Sequence, residues 1–257
     1  MKLTVLTENT ACRDALIAEH GLSLYLEAAG MKVLLDMGQT DAFAHNAEKL
    51  GIDLSQVDVA ILSHGHYDHG GGLEAFLKIN GKAPVYIHET AFGQHYNGTE
   101  KYIGLQAALQ NHPRLIPVTG SLEIAPGLKL FDCNHLNWKF ESWGLNQKRE
   151  DSFAPDDFRH EMYLQITEGE KRILLSGCSH KGITNIVRHF QPDVLAGGFH
   201  LNKQEDFQAL HSIATELLKN CGLCYTGHCT GEKQYRYLKE VMGQRLQPLS
   251  TGATIQI

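Results

Sequence analysis

The segment Ser63-His64-Gly65-His66-Tyr67-Asp68-His69-Gly70-Gly71 follows directly on the apolar run Val57–Leu62. Four groups able to bind a metal thus fall within six residues, at the point where a buried strand ends and a loop begins. A fold that accepts this must bring the carboxyl end of that strand to an edge where polar side chains meet. In extended chain, residues two apart face the same way, so His64 and His66 point together. Once the chain turns into a helix opened by Gly70-Gly71-Gly72, Asp68 and His69 swing toward a neighbouring position. Imidazole and carboxylate donors suit zinc, iron or manganese. Two such positions about 3.5–4 Å apart would form a hydrolytic two-metal centre. A metal-free surface cluster of histidines is the bland reading, and the buried strand beside it argues against that.

The rest of the chain reads as short β-rich runs mixed with amphipathic helices. Leu3–Leu6, Leu22–Leu26, Val33–Leu35, Val57–Leu62 and Pro84–Ile87 are strand-like, and Gly30 supports a hairpin between the second and third. Further strands are expected near Leu128–Asp132, Met162–Thr167, Arg172–Ser176, Val194–Ala196 and Leu223–Thr226. Helical spacing marks Asp41–Leu50, Leu73–Ile79, Thr184–Phe190, Glu205–Lys219 and Glu232–Met242. Strands and helices without strict alternation predict sheets covered by helices. Glu89–Asp157 has weak periodicity, many Asn, Gln and Lys, and aromatic residues that include Tyr96, Tyr102, Trp138, Phe140, Trp143 and Phe153. It is expected to be a long irregular lid or substrate-binding insertion within one domain spanning residues 1–257.

Composition excludes several classes. With 257 residues, 42% hydrophobic and 20% charged, the chain can bury a core and is not of disordered type. The net charge of −6 gives no global attraction to nucleic acid or to an anionic membrane. No apolar run approaches the ~20 residues of a membrane span. The amino terminus meets an acid at Glu8, too early for a secretory signal, so a cytoplasmic protein is expected. Its six cysteines then read as thiols or metal ligands. Neither a Walker sequence nor a Gly-x-Gly-x-x-Gly run opens a helix, so nucleotide binding of those kinds has no support.

The His-x-His-x-Asp-His run resembles the signature of the metallo-β-lactamase fold superfamily, and Val33-Leu34-Leu35-Asp36-Met37-Gly38 resembles its first motif. Ala18–Ser23, Gly177-Cys178-Ser179-His180, Gly197–Leu201 and Thr226–Gly231 resemble a branch similar to the archaeal dihydropterin–ribofuranosylaminobenzene-phosphate synthase. The resemblance implies an α+β fold, a four-layer αβ/βα sandwich of two mixed sheets with helices outside. It implies two divalent ions, zinc first and iron or manganese as alternatives. His64, His66 and His160 would hold one; Asp68, His69 and His228 would hold the other, with Asp68 also orienting a water.

At the fourth motif, where the superfamily commonly has a bridging aspartate, this chain has Cys178, and His180 competes two residues on. Asp36 would anchor ligands by hydrogen bonds. The implied activity is that of an enzyme on a small anionic, phosphorylated or pterin-like molecule, either a hydrolase or a pterin-type transferase. A di-iron redox protein or a metabolite sensor would be alternatives with the same ligands.

The other candidates carry weaker signals. His20 and His200 sit in motif loops and are candidates for substrate contact, as are Trp138 and Trp143, whose rings could stack on a flat heterocycle. Cys221-Gly222-Leu223-Cys224 and Cys229 read as core thiols, and Cys12 and Cys133 as unpaired ones. His45, His88, His95, His112, His135, His189 and His211 are expected to face solvent or lie on helix surfaces.

Overall fold

The computed structural model describes residues 1–257. Its first half contains strands β1 (Lys2–Thr7), β2 (Ser23–Ala28), β3 (Met31–Leu35), helix α1 (Ala42–Lys49), β4 (Val59–Ile61), α2 (Tyr67–Gly70), α3 (Leu73–Ile79) and β5 (Val85–His88). Then come β6 (Gln94–Asn97), β7 (Lys101–Tyr102), β8 (Leu115–Val118), β9 (Ser121–Ala125), β10 (Leu128–Phe131), β11 (Leu145–Arg149) and β12 (Ser152–Pro155). The remainder is β13 (Tyr163–Glu168), β14 (Lys171–Ser176), α4 (Ile183–Phe190), β15 (Val194–Gly197) and α5 (Phe207–Asn220). It ends with β16 (Leu223–Thr226), α6 (Glu232–Met242), β17 (Leu246–Pro248) and β18 (Thr254–Gln256).

Two seven-stranded mixed sheets form, ordered β18-β1-β2-β3-β4-β5-β8 and β17-β16-β15-β14-β13-β10-β9. Their alternating apolar residues meet in a 22-residue core that includes Leu24, Val33, Ile61, Leu130, Leu164 and Leu175. The opposite face of the first sheet packs on α1 and α3 through Phe43, Ala47, Leu73 and Phe76. The opposite face of the second packs on α4, α5 and α6 through Ile186, Val187, Ala214, Leu217 and Leu238. This is the four-layer arrangement expected from the sequence. Ala29 and Gly30, both at positive φ (51° and 73°), close the β2–β3 hairpin as a two-residue turn of that kind requires.

Strands β3, β4, β5 and β8 run parallel, as do β14, β15, β16 and β17. Parallel strands end on the same side, so the loops after β3, β4, β14, β15 and β16 gather at one edge of the sandwich. The loop motifs sit on these strand ends.

Glu89–Asp157 departs from the expected irregular lid. It supplies β8, β9 and β10 to the edges of the two main sheets and builds a separate sheet, β12-β11-β6-β7. These strands are two to five residues long and largely polar, so they carry no readable period. Aromatic pairs hold the small sheet instead: Tyr96 meets the rings of Tyr102 and Phe153 edge-on at 5.4 and 5.1 Å.

Candidate metal centre

The loop after β4 passes so close to its neighbours that only glycine fits at Gly65, where a Cβ would lie 2.0 Å from the Ala91 carbonyl oxygen. That close passage keeps the loop flat against the sheet edge and buries His64, His66 and His69. The one-turn helix α2 carries Asp68 and His69 to the side of His64.

Asp36, at the end of β3 and fully buried, organises this loop. Its Oδ1 accepts the Ser63 N–H at 2.7 Å, and its Oδ2 accepts Ser63 Oγ–H and His69 Nδ1–H, each at 2.7 Å. Since the Ser63 hydroxyl donates its proton to Asp36, it accepts from His64 Nδ1 at 2.8 Å. Both imidazoles therefore carry their proton on Nδ1 and leave Nε2 as a lone-pair donor. Asn9 does the same for His228, accepting from its Nδ1 at 3.1 Å. Glu8 holds the His228 backbone N–H at 2.6 Å.

The freed Nε2 atoms face one another. His69 Nε2 lies 3.1 Å from His228 Nε2 and 3.2 Å from Cys178 Sγ. His180 Nε2 lies 3.3 Å from His64 Nε2. The rings of His64, His66 and His180 stand 4.6–4.9 Å apart in a triangle. Asp68 Oδ2 is 3.4 Å from His228 Nε2 and 3.3 Å from His20 Nε2. Cys178 belongs to both groups, with His64 and His180 on one side and His69 and His228 on the other. The sequence posed Cys178 and His180 as competitors, and the fold brings both to the edge beside His64.

Electrostatics keep His64, His66 and His180 unprotonated. Burial, reinforced by neighbouring imidazoles, pushes His64, His66 and His180 well below the usual histidine range. Burial also works against a charge on Asp68, but the hydrogen bond from His20 and the neighbouring His228 and His69 rings hold its carboxyl well below the ordinary range. Burial lowers His69 too, and the charge and hydrogen bond of Asp36 outweigh it, raising the group overall. Burial drives the Cys178 thiol well up, so a thiolate there depends on an adjacent cation.

The residues fit a metal. Buried Nε2 of His66 and Nδ1 of His180 have no hydrogen-bond partner. The Nε2 lone pairs of His69 and His228, which oppose each other across 3.1 Å, need a cation or a proton between them.

His160, expected to complete the site of His64 and His66, is buried beside His66. The Gly65 N–H donates to His160 Nδ1 at 2.9 Å, which places that ring's proton on Nε2, 3.6 Å from Asp156 Oδ2. Its buried Nε2 has no hydrogen-bond partner, and His160 groups with His66, His95 and Asp156 as possible ligands of an ion. His180 also stands beside His64 and His66, held by Phe158 stacked on its ring at 4.5 Å and by Glu161 Oε1, which accepts its backbone N–H at 2.7 Å.

His95 and His88, expected at the surface, are buried. His95 donates to Asp156 at 2.7 Å beneath His160, and His88 bonds Thr90 and lies 3.3 Å from Asp132. His95 lies on the short polar strand β6, where periodicity cannot show its burial, while His88 ends the apolar strand β5. Glu8, Asn9, Asp156, Glu161 and Cys229 are the other site residues that sequence reasoning did not identify. Cys229 accepts the His200 backbone N–H and groups with Cys178. Of these, Cys229 lay within the motif Thr226–Gly231, where it was read as a core thiol, and Glu161 lay next to His160.

A pocket of about 130 Å³ opens onto His66, Asp68, Cys178, His180, His20 and His200. Trp143 lies in an adjoining pocket with His180 and His200. Trp138 does not join them: it packs on Tyr163 and His189 in the outer helical layer, because the chain turns away from the site after β10. Cys221 and Cys224 are buried free thiols 3.4 Å apart, as expected of core residues.

Comparison with known proteins agrees with this geometry. The chain is 28% identical to the 7,8-dihydropterin-6-methyl-4-(beta-D-ribofuranosyl)-aminobenzene-5'-phosphate synthase of Methanocaldococcus jannaschii, over 93% of this chain and 90% of that one. An uncharacterized protein of the same archaeon is also 28% identical, over 93% and 94%. The solved structure of Tm1679, a metal-dependent hydrolase of the beta-lactamase superfamily, superposes with a TM-score of 0.86 at 28% identity, covering 100% of this chain and 99% of that one. The profile of the metallo-beta-lactamase superfamily matches residues 17–216, and with the sandwich and its histidine-lined edge this places the chain in that superfamily of metal-dependent hydrolases and related enzymes.

Proposed function

We propose that the protein is a metal-dependent hydrolase of a small anionic or phosphorylated substrate, with two divalent ions, zinc first in order. His64, His66 and His180 would hold one ion, Asp68, His69 and His228 the other, and Cys178 would stand between them. The observation that carries this reading is the opposed Nε2 lone pairs of His69 and His228, fixed by Asp36 and Asn9, beside the His64 Nε2 that Ser63 leaves free. Bound there, such ions supply Lewis acidity and lower the pKa of a coordinated water toward about 7.

The chain's own groups do the rest. Asp68 presents an ionised carboxylate to the pocket, able to orient a water and to take its proton at Oδ2. His20, hydrogen-bonded to that oxygen, keeps the carboxylate turned inward. His200 reaches the pocket with both ring nitrogens buried and unpartnered, ready to bond a substrate oxygen. A second reading, transfer of a pterin-type group to an arylamine, is favoured by the archaeal synthase, to which the chain is similar over nearly its full length.

The test begins with elemental analysis of freshly purified protein, expected to give two ions per chain, followed by turnover of bis(p-nitrophenyl) phosphate. His66→Ala should lose at least one ion and activity together. Unchanged metal stoichiometry in that variant would sink the assignment, and a coloured, iron-loaded protein without hydrolysis would point to redox chemistry.

A further inference from the structure

The rim of this pocket runs against the charge of the molecule. The chain carries a net charge of −6, yet the pocket is lined by two lysines, Lys101 and Lys203, and by only one acidic side chain, Asp68. The two lysines come from unrelated segments. Lys101 belongs to β7 of the small sheet, and Lys203 lies in the loop between β15 and α5. Both are exposed, while Ile103 and Leu145 of the wall beneath are buried.

Each ammonium is held in place. Lys101 Nζ lies 5.3 Å from the centre of the Tyr67 ring and donates to its hydroxyl at 3.3 Å. Lys203 Nζ donates to the Trp143 carbonyl at 2.6 Å. An ammonium has three N–H donors, so each retains two for a ligand. Pre-positioning reduces the ordering cost that usually weakens a surface lysine. Below them His200 offers two ring nitrogens that have no partner in the protein.

We propose that Lys101 and Lys203 clamp a phosphoryl group of the substrate at the solvent side of the metal centre. This rests on the reading of that centre as the active site and adds the chemical class of the bound group. Two point charges from separate segments suit a compact dianion with oxygens on several sides. A planar carboxylate is matched better by the fork of an arginine, and no arginine lines the pocket.

The test is calorimetric titration of inorganic pyrophosphate into the whole protein at low ionic strength, with K101M/K203M and K101R/K203R beside wild type. The methionine pair should weaken pyrophosphate binding at least about tenfold, since two favourable charges vanish, and should remove most of its salt dependence. The arginine pair should stay within about threefold, and metal content should be equal in all three. Malonate, a dianion of planar carboxylates, should bind wild type more weakly than pyrophosphate.

Unchanged pyrophosphate affinity in K101M/K203M would overturn the clamp, as would malonate binding as tightly as pyrophosphate. The same titration on chelator-treated protein separates the two readings. If the centre proves to hold no functional ions, the lysine dependence measured there still decides the clamp.

Discussion

Replacing Asp36 with Asn changes one atom of a buried side chain and reverses its hydrogen-bonding role. The carboxylate accepts three bonds of 2.7 Å, two of them on Oδ2. In D36N the amide oxygen can still accept the Ser63 N–H. The amide nitrogen then faces the Ser63 hydroxyl and His69 Nδ1, where two donors stood opposite an acceptor. His69 can relieve the clash only by moving its proton to Nε2, which removes the lone pair aimed at Cys178 and His228. Ser63 must turn to accept from the amide, and the proton on His64 Nδ1 loses its fixed partner.

Two losses follow from this. Affinity for the ion beside His69 should fall about ten- to a hundredfold, the usual effect of removing a group that orients a ligating histidine. The metal-free protein should lose about 3–5 kcal/mol, as when one partner of a buried charged network is removed. Competition against a chromophoric chelator measures the first, and urea unfolding in the presence of a chelator measures the second. A D36N protein that binds both ions with wild-type affinity would refute the reasoning, because the tautomer of His69 would then not depend on Asp36.

Other variants probe the remaining ligands. C178S should weaken both ions, most strongly the one beside His69 and His228, because a neutral hydroxyl replaces a thiolate; H180A should weaken chiefly the ion beside His64 and His66, and metal titration of each distinguishes the two losses. H160Q should keep two ions per chain by elemental analysis while lowering the unfolding midpoint, whereas loss of an ion would return His160 to the ligand set. Burial holds His160 down at about 4 against 6.5 for a free imidazole, so between these values the unfolded chain binds the proton that the folded one refuses. Stability of chelator-treated protein should therefore rise with pH from about 4 to 6.5, by roughly 3 kcal/mol from this group alone, and urea midpoints that stay flat across that window would contradict it.

Local information reached far in this chain. The apolar runs, the β2–β3 hairpin and the amphipathic helices depend on neighbours a few residues away, and they were legible for that reason. So was the ligand run from His64 to His69, since its members share one strand end and one helical turn. Tertiary structure decided which ring nitrogen of each histidine is free, because that depends on partners such as Asn9 for His228 and Gly65 for His160, which lie 219 and 95 residues away. It decided that His95, on a polar four-residue strand, is buried against Asp156, and that Trp138 and Trp143 part company. It also brought Lys101 and Lys203 to one pocket. Periodicity records which face of an element is apolar; the burial of a polar side chain and the direction of its hydrogen bonds are set only when distant segments pack together.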